Sequence, residues 1–511
     1  MKNFISRYWP LLIIVAVKFI LQYTLVNPYY ELHRDEFLHL DQADHLAFGY
    51  ISVPPLTSLF SKMIFLFGGG ESWVKFFPAL FGALTIVIAW LIVEDLGGRL
   101  WAKLLVSLAL LFSVLVRINM LFQPNSFDIL AWTLIYRYII RYIKDGSNKH
   151  LWLLSVFIAL GFLNKYNVAF LLAGITAGLI LTSERKILTR FSLWKAVALC
   201  FILILPNIIW QVVHEFPVVN HMRVLKENQL DNNTAVDFVT GQLRIFLGSL
   251  HLVILGIATL LFYKPFRPYR FVGLSFIAVM ALFAFLKAKD YYALGLYPVI
   301  IAFSGIYLEK VLRTKVKIAL FSTLIVLNMA GFAIIAMYVM PVMTPRQIID
   351  NREVFEKSGM LRWEDGKNHA LPQDFADMKG WKEMAAKALE AYQMIPPDEI
   401  ENTLVFCDNY GQTGALNYYN RGKMKEAYSF NTDYIYWLPH IPYIKNVILV
   451  GEMTEDSIAA MFKENKLTGI VENEYAREKG TGIFLLTGAA PEFTKFFYNE
   501  AERRKRELDI F

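Results

Sequence analysis

The chain has 511 residues, of which 56% are hydrophobic and 19% carry a charge, and its formal net charge is +7. Soluble domains are usually about 45–50% apolar and about 25% charged, so this composition argues against an ordinary cytosolic enzyme and excludes a disordered chain. Its two cysteines, Cys200 and Cys407, are too few for a disulfide framework. The apolar residues form long blocks that need lipid to cover them, which predicts a polytopic α-helical membrane protein.

Eleven apolar segments approach the length that crosses a bilayer, and the short or adjoining ones leave room for up to thirteen spans. The first segment, 9–26, follows the basic residues Lys2 and Arg7 but lacks a small-residue cleavage site, so we expect a retained span. A shorter apolar run over 56–67 is typical of an interfacial or re-entrant helix. The predicted spans are 9–26, 73–93, 100–118, 127–143, 151–164, 166–182, 193–213, 242–263, 270–286, 291–308 and 316–340.

The distribution of lysine and arginine predicts the orientation of these spans. If the N-terminus lies in the cytoplasm, the cytoplasmic loops contain most of the basic clusters, whereas the stretch 27–55 after the first span carries only Arg34. An odd number of spans then places everything after Met340 outside the cytoplasm. Topology and anionic headgroups therefore explain the net positive charge, which does not indicate a nucleic-acid partner.

The composition changes near residue 340 and predicts two domains, a transmembrane domain over 1–340 and an extracytoplasmic α/β domain over 341–511. In the second domain, strand-like pieces (TLVFC, NVILV and GIFLL) alternate with helix-like pieces near 380–392 and 456–465. A group of aromatic residues there suits either internal packing or stacking on sugar rings. They are Tyr418, Tyr419, Tyr428, Tyr434, Tyr436 and Trp437.

The first predicted outer loop, 27–72, combines acidic residues with histidines. A helix that continues to the two prolines at 54 and 55 would place Asp41 and His45 on one face, four residues apart. The pattern suits either a solvated amphipathic helix on the membrane or a divalent metal site, for which His221 is a further candidate ligand. No metal-binding spacing of histidines is present, so a divalent metal stays an open alternative. The loop contains Glu31, His33, Asp35, Glu36, His39, Asp41, Asp44 and His45.

Polar residues also occur in other predicted outer turns. Asp128 lies just inside the start of its helix, where a carboxylate interacts with the helix dipole. The lysines and tyrosines of these turns suit interfacial anchors, and they also suit a lipid phosphate, because lysine supplies a point charge and tyrosine a neutral donor. Acids and lysines on one leaflet fit a reaction in which an anionic lipid-linked group departs while a carboxylate receives a proton. The lysines and tyrosines are Lys165, Tyr166, Lys287, Lys289, Tyr291 and Tyr292.

A series of segments in chain order resembles bacterial members of the protein-mannosyltransferase-like superfamily, which has a GT-C fold. Its members include protein O-mannosyltransferases and aminoarabinose transferases of lipid A. The resemblance covers roughly residues 1–310 and extends more faintly to GQTGALNYYNRG in the C-terminal domain. The segments are Arg34-Asp35-Glu36, HLAFGY, VPPL, FFPALFGALTIVIAWLIVEDLGG, LFQPNSFD, GFLNKYN, LPNIIW, FPVVNHM and KDYYALGLYP.

The resemblance implies an inverting hexosyl- or pentosyltransferase that moves a sugar from a polyprenyl-phosphate donor to a hydroxyl group on a lipid, glycan or protein. The reaction would occur at the outer face of the bacterial cytoplasmic membrane, with the loop 27–72 as its catalytic loop. Asp35 would be the base, with Glu36 beside it, and Asn125 or Asp128 would occupy the position of a second family aspartate. The donor phosphate positions map onto Lys165, Tyr166, Lys289, Tyr291 and Tyr292, with Lys287 nearby.

One departure and two alternatives accompany this interpretation. Many relatives have an acidic or histidine residue just before the double proline, but this chain has Ser52-Val53 there, so metal dependence does not carry over. A transporter or flippase of lipid-linked sugars would also need spans and basic residues, but transporters place their sites near the midplane, where only Lys18 clearly lies. A membrane scaffold with an outer binding domain is the second alternative, and dispensable first-loop acids would favour it.

Overall fold

The structure is a computed structural model that describes residues 2–228, 234–312, 314–452 and 456–508. The chain divides into two compact units, and each is made of several chain segments. The helical unit comprises Met1–Val26, Ser72–Ile208 and Glu227–Val342. The sheet unit comprises Asn27–Glu71, Ile209–Lys226 and Met343–Phe511. The first predicted outer loop therefore belongs to the same unit as the C-terminal sheet.

α-Helices make up most of the described chain. In chain order they are α1 (Lys2–Thr24), α2 (Arg34–Asp41), α3 (Leu56–Leu66), α4 (Glu71–Asp95), α5 (Leu100–Leu111), α6 (Leu115–Ile118), α7 (Asn125–Asp145), α8 (Lys149–Asn164), α9 (Val168–Ile180), α10 (Phe191–Val213), α11 (Pro217–Asn228), α12 (Ala235–Ile245), α13 (Leu250–Phe262), α14 (Arg270–Phe285), α15 (Tyr297–Val311), α16 (Thr314–Tyr338), α17 (Pro345–Asp350), α18 (Arg352–Lys357), α19 (Gln373–Ala376), α20 (Trp381–Gln393), α21 (Tyr410–Tyr419), α22 (Asp456–Ala459) and α23 (Pro491–Leu508). Short 3-10 helices cover Ser183–Thr189, Lys264–Tyr269, Asp290–Leu296, Pro397–Asn402 and Thr432–Tyr436.

Each of the eleven segments predicted to span the membrane contains helix in the structure. Among the described residues, five helical stretches are long and apolar enough to cross a bilayer, and two bent helix pairs raise the number to as many as seven. The total of eleven spans stays a prediction. The five stretches are Glu71–Asp95, Phe191–Val213, Lys264–Phe285, Asp290–Val311 and Lys315–Tyr338, and the bent pairs are Val168–Ile180 with Ser183–Thr189 and Ala235–Ile245 with Leu250–Phe262.

Inside the helical unit, α7 packs closely against the 3-10 helix Asp290–Leu296. Trp132 on α7 is completely buried, and Gly295 provides the room for its ring. A Cβ atom at Gly295 would lie 2.7 Å from three carbon atoms of the Trp132 side chain, which is too close for any other residue. This contact brings the first turn of α7, with Asn125 and Asp128, near the tyrosines of the 3-10 helix.

The mid-span lysine of α1 is buried in the helical unit. Its ammonium group donates a hydrogen bond to Gln22 Oε1 at 2.6 Å. This bond satisfies one of the N–H donors of a lysine in an apolar span. The cavity beside Lys18 has a volume of about 10 Å³ and is also lined by Gly82 and Asn119. Because such a space admits about one water molecule, it offers no room for a sugar at this depth.

The sheet unit contains a five-stranded sheet in the order β2-β1-β3-β5-β4. Its strands are β1 (Thr403–Cys407), β2 (Ala427–Tyr428), β3 (Asn446–Gly451), β4 (Glu464–Ile470) and β5 (Gly482–Thr487). β1 pairs in parallel with β2 and β3, whereas β5 is antiparallel to β3 and β4. The pieces TLVFC, NVILV and GIFLL correspond to β1, β3 and β5, which confirms the three predicted strands.

The residues that follow the first span hydrogen-bond to the C-terminal part of the sheet unit. The backbone N–H of Glu31 donates to Met378 O at 2.9 Å, and that of Arg34 donates to Asp377 O at 3.0 Å. The backbone N–H of Lys382 donates to the Glu31 side chain at 3.0 Å. The acidic loop and residues 343–511 are therefore built as one compact unit.

The helix of the first loop is shorter than the sequence predicts. α2 ends at Asp41, and Pro55 is the N-cap of α3. The prediction that one helix continues to the double proline and places Asp41 and His45 on one helical face is therefore wrong. The reason lies in Tyr50, whose hydroxyl shares its single proton between the backbone oxygens of Gln42 at 3.3 Å and of His45 at 3.1 Å. These bonds give the carbonyl groups partners outside a helix.

Gly414 on α21 permits the close approach of α2. A Cβ atom at this position would lie 2.7 Å from Phe37 Cβ and 2.9 Å from the Tyr434 hydroxyl oxygen. We expect Gly414→Ala to lower the free energy of unfolding by about 1–3 kcal/mol, because the two helices must separate. Thermal unfolding of the full chain in detergent measures the loss. Gly70→Ala is the control, since nothing lies within 4 Å of its Cβ position, and equal Tm values for the two variants would contradict the contact.

Candidate functional site

The predicted base, Asp35, lies in the first turn of α2 in the sheet unit. His33 caps this helix: its Nδ1 atom accepts a hydrogen bond from the Asp35 backbone N–H at 3.2 Å. In return, the Glu36 carboxylate accepts the backbone N–H of His33 at 2.6 Å. This capping box fixes the start of α2 and with it the position of Asp35. The buried Glu36 side chain thus supports the helix terminus directly beside the predicted base.

The Asp35 side chain is 40% exposed, and residues from two parts of the sheet unit surround it. The Tyr410 hydroxyl donates a hydrogen bond to Asp35 Oδ1 at 2.7 Å. The Arg34 guanidinium carbon lies 4.3 Å from the centroid of the Tyr410 ring. An accessible carboxylate with a tyrosine donor and an arginine nearby can take up a proton from a bound reactant.

Neighbouring charges set the protonation state of Asp35. Desolvation raises the pKa of its carboxyl group, but the electrostatic interaction with His33, the Tyr410 hydrogen bond and the charge of Arg34 outweigh it. The pKa of Asp35 therefore lies below its ordinary value. The group is ionised at neutral pH, as a proton acceptor must be.

Asp377 supports the Asp35 region from the C-terminal part of the sheet unit. Its Oδ2 atom lies 3.9 Å from His33 Nε2, and its Oδ1 atom lies 3.2 Å from the Arg477 guanidinium. Its backbone oxygen accepts the Trp381 indole N–H at 2.8 Å. Burial raises the pKa of Asp377, and the electrostatic interaction with His33 and the charge of Arg477 oppose this shift. Asp377 is thus a buried structural partner of the α2 terminus.

The candidate metal ligands of the first loop have other partners. Asp41 Oδ2 accepts hydrogen bonds from Asn417 Nδ2 and from the Tyr434 hydroxyl, both at 2.7 Å. Desolvation raises the pKa of Asp41 well above its ordinary value, although these two bonds oppose it. His45 Nε2 lies 2.5 Å from Glu426 Oε1. A buried carboxyl group whose Oδ2 atom already accepts two hydrogen bonds and a histidine paired with another acid do not fit a shared metal site.

His221, the third candidate metal ligand, lies on α11. Within the described ranges, no group of three or more histidine, cysteine, aspartate or glutamate residues is arranged to bind a metal ion. We therefore do not assign a metal-binding role to Asp41, His45 or His221.

Most of the aromatic residues singled out in the C-terminal region face protein neighbours. The Trp437 ring stacks on His45 with a centroid distance of 4.2 Å, and Tyr434 is completely buried. The Tyr418 hydroxyl donates to Gly69 O at 2.8 Å, and the Tyr419 ring lies 5.7 Å from that of Phe37. These contacts favour the packing interpretation over stacking on sugars.

A second polar cluster lies in the helical unit and is centred on Lys165. This residue follows α8 as its C-cap, and its ammonium group donates to Asn125 Oδ1 at 2.7 Å. The ammonium nitrogen lies 4.3 Å from the ring centroid of Tyr292 and 5.4 Å from that of Tyr291. The structure thus brings together the lysine of one predicted turn and the tyrosines of another, and cation–π attraction stabilises the charge.

Asparagines connect the other predicted residues of this cluster. Asn167 donates to Asp128 Oδ2 at 2.9 Å and to the backbone oxygen of Tyr292 at 3.1 Å. The Tyr166 hydroxyl donates to Asn207 Oδ1 on α10 at 3.0 Å. Asp128 is buried beside this network rather than open to solvent, and its Oδ2 atom accepts a hydrogen bond from the turn that carries Lys165.

The two remaining predicted lysines lie just before the tyrosines. Lys287 is exposed and has a left-handed backbone φ of 52°. Lys289 is half-buried and is the N-cap residue of the 3-10 helix Asp290–Leu296. Both lysines are therefore close in sequence to the cluster, and Lys289 is next to the helix that provides Tyr291 and Tyr292.

The structure adds functional candidates to which the sequence assigned no role. Asn167 and Asn207 lie in segments that carry the family resemblance, GFLNKYN and LPNIIW, and Tyr410 directly precedes the segment GQTGALNYYNRG. A lone tyrosine or asparagine gives no signal of its own in a sequence. Only the fold shows that these side chains contact Asp35, Asp128 and Tyr166.

Comparison with known proteins shows that the chain is similar to membrane glycosyltransferases. The family model of dolichyl-phosphate-mannose-protein mannosyltransferases matches residues 52–210. Among solved structures, ArnT from Cupriavidus metallidurans bound to undecaprenyl phosphate is similar over 94% of this chain and 98% of that chain, with a TM-score of 0.62 and 14% identity. A search of curated protein sequences finds no significant match.

Two archaeal structures share the same architecture. The oligosaccharyltransferase of Archaeoglobus fulgidus in the apo form is similar over 81% of this chain and 64% of that chain, with a TM-score of 0.51 and 11% identity. AglB from Archaeoglobus fulgidus, in complex with an inhibitory peptide and a dolichol-phosphate, is similar over 87% of this chain and 70% of that chain, with a TM-score of 0.50 and 11% identity.

The fold is thus that of the GT-C glycosyltransferases, which are membrane proteins with a helical part and a further globular part. Within this class the chain is similar to protein mannosyltransferases and to ArnT. The family resemblance seen in the sequence is confirmed.

Proposed function

We propose that the chain is an inverting glycosyltransferase that moves a hexose or pentose from a polyprenyl-phosphate donor to a hydroxyl group of a lipid, glycan or protein. The observation that carries this proposal is the Lys165 ammonium group, fixed by Asn125 and by the faces of Tyr291 and Tyr292. A fixed lysine suits the phosphate of a lipid-linked sugar. The similar ArnT and AglB structures contain undecaprenyl phosphate and dolichol-phosphate, respectively.

In the proposed reaction, the acceptor oxygen forms a bond to the anomeric carbon as the bond from that carbon to the phosphate oxygen breaks. The electron pair of the broken bond leaves with the polyprenyl phosphate, and the acceptor proton passes to the Asp35 carboxylate. The transition state resembles an oxocarbenium ion, so the acceptor loses its proton late and an ordinary ionised aspartate suffices as base. Attack from the face opposite the phosphate inverts the anomeric centre.

The lysine cluster stabilises the leaving group in this proposal. Negative charge on the phosphate oxygen grows as the sugar departs, so a pre-oriented ammonium group contributes more in the transition state than in the ground state. Lys165 is the main phosphate ligand, because two rings and one amide fix it. Lys287, Lys289 and Tyr166 add charge and a hydroxyl donor from the adjoining turns.

We place the reaction at the outer face of the bacterial cytoplasmic membrane, with the N-terminus in the cytoplasm. Residues 341–511 then form an extracytoplasmic domain, and the loop 27–72 is the catalytic loop. The association of that loop with the C-terminal sheet in one compact unit supports their placement on the same side of the membrane.

Mass spectrometry of the cell envelope tests this function directly. Glycolipids and glycoproteins of a deletion strain are compared with those of the wild type, and a strain complemented with the gene is the control. Loss of one sugar from one class of envelope molecule, restored by complementation, is the expected result. Accumulation of an untransported lipid-linked sugar in the cytoplasmic leaflet would instead identify a flippase, and an unchanged envelope would favour a scaffold.

A further inference from the structure

Tyr410 lies beside the predicted base at the N-terminus of α21. It is the first residue of α21, directly after the N-cap residue Asn409. The Asn409 side chain accepts the backbone N–H groups of Gly411 and Gln412 at 2.9 Å and 3.2 Å, which fixes the start of the helix. The Tyr410 hydroxyl then reaches Asp35 Oδ1 at 2.7 Å across 375 positions of sequence, within one compact unit.

The next residue, Gly411, leaves space for the side chain of Arg34. A Cβ atom at Gly411 would lie 2.6 Å from Arg34 Cγ and 2.9 Å from Arg34 Nε. Glycine therefore lets the Arg34 side chain pass along the start of α21 and place its guanidinium over the Tyr410 ring, 4.3 Å from the centroid. Tyr410 thus contacts both members of the Arg34-Asp35 pair, one with its ring and the other with its hydroxyl.

We propose that Tyr410 is a positioning residue for the base: its hydroxyl orients the Asp35 carboxylate and stabilises its charged form. This inference rests on the proposed role of Asp35. It makes the C-terminal part of the chain a direct contributor to the chemistry, because the base depends on a group from residues 341–511. Burial and the charge of Asp35 raise the pKa of Tyr410, so the hydroxyl keeps the proton that it donates to Asp35.

The variant Tyr410→Phe tests this role, because it removes the hydroxyl and keeps the ring under Arg34. We expect kcat to fall about 10- to 100-fold, the usual effect of losing a hydrogen bond to a charged group. The KM for a polyprenyl-phosphate-sugar donor should change little. The acid limb of the pH profile of kcat should move to higher pH, because the lost bond lowers the pKa of Asp35 in the wild type.

A matched control removes the same chemistry elsewhere in the sheet unit. Tyr434→Phe also deletes a hydroxyl that donates to a carboxylate, Asp41, at 2.7 Å, and it should leave the acid limb at the wild-type pH. The position of the limb does not depend on the fraction of active protein, so partial misfolding cannot imitate the result. Equal limb positions for the wild type and Tyr410→Phe would overturn the inference, as would equal shifts in both tyrosine variants.

Asp35→Asn, assayed in parallel, separates this inference from the proposed function. If Asp35→Asn retains full turnover, Asp35 is not the base and the proposed function of this residue fails. If Asp35→Asn is inactive while Tyr410→Phe has the kcat and pH profile of the wild type, the function stands and only the role of Tyr410 is refuted.

Discussion

Asp35→Asn should lower kcat by about 10²–10⁴-fold, the range that a general base contributes to catalysis. The amide has nearly the same shape as the carboxylate, and its oxygen can still accept the Tyr410 hydrogen bond. It cannot accept the proton of the acceptor hydroxyl. The expected result is therefore a chemical defect in a folded protein, with the KM for the lipid-linked donor nearly unchanged.

Steady-state transfer from a polyprenyl-phosphate sugar, with the detergent-solubilised full chain, measures this effect. Asp44→Asn is the matched control in the same loop. Asp44 forms an ion pair with Arg421 at 2.7 Å and its side chain is 39% exposed, so its loss should cost at most about 1 kcal/mol of stability and little activity. Near-normal turnover of Asp35→Asn would remove Asp35 from the mechanism, and a similar loss in Asp44→Asn would indicate a general effect of loop charge.

The sequence predicted the strands whose hydrophobic residue types indicate burial. β1, β3 and β5 consist mainly of branched and aromatic residues that are buried almost throughout. β2 has two residues, and β4 reads ENKLTGI with most positions exposed or half-buried. Edge strands carry little hydrophobic signal, so the sequence did not reveal β4. The helix predicted over 456–465 is present only as the short α22, and β4 begins within the same range.

The same limit applies to the site. Topology alone grouped Lys165 with Tyr291 and Tyr292, because turns on one side of a helical bundle meet, and the structure brings these three side chains together. Helical spacing predicted that Asp41 and His45 share one face. This prediction failed because the Tyr50 hydroxyl, and not a further turn of helix, bonds to the backbone oxygens of Gln42 and His45. Helical periodicity cannot anticipate a side-chain hydrogen bond from a residue five or eight positions further along the chain.

Lys165→Ala should reduce kcat/KM for the lipid-linked donor by about 10²–10³-fold, the usual effect of deleting one donor that faces developing charge. The two tyrosine rings and Asn125 orient the ammonium group before the donor binds, so little reorganisation is needed during the reaction. Its removal deprives the departing phosphate of a positive charge in a partly desolvated place. Both kcat and the binding of polyprenyl phosphate should decline, whereas Asp35→Asn should lower kcat and leave the binding of polyprenyl phosphate unchanged.

Lys149→Ala provides the control for net charge, since Lys149 is an exposed lysine at the start of α8. It should keep the wild-type kcat/KM, whereas Lys165→Arg should show an intermediate loss because its planar group cannot reproduce the point contact of an ammonium. A titration with polyprenyl phosphate that carries no sugar measures donor binding separately from sugar transfer. Normal phosphate binding by Lys165→Ala would contradict its assignment, and lost binding in Asp35→Asn would mean that the acid serves the donor rather than the acceptor.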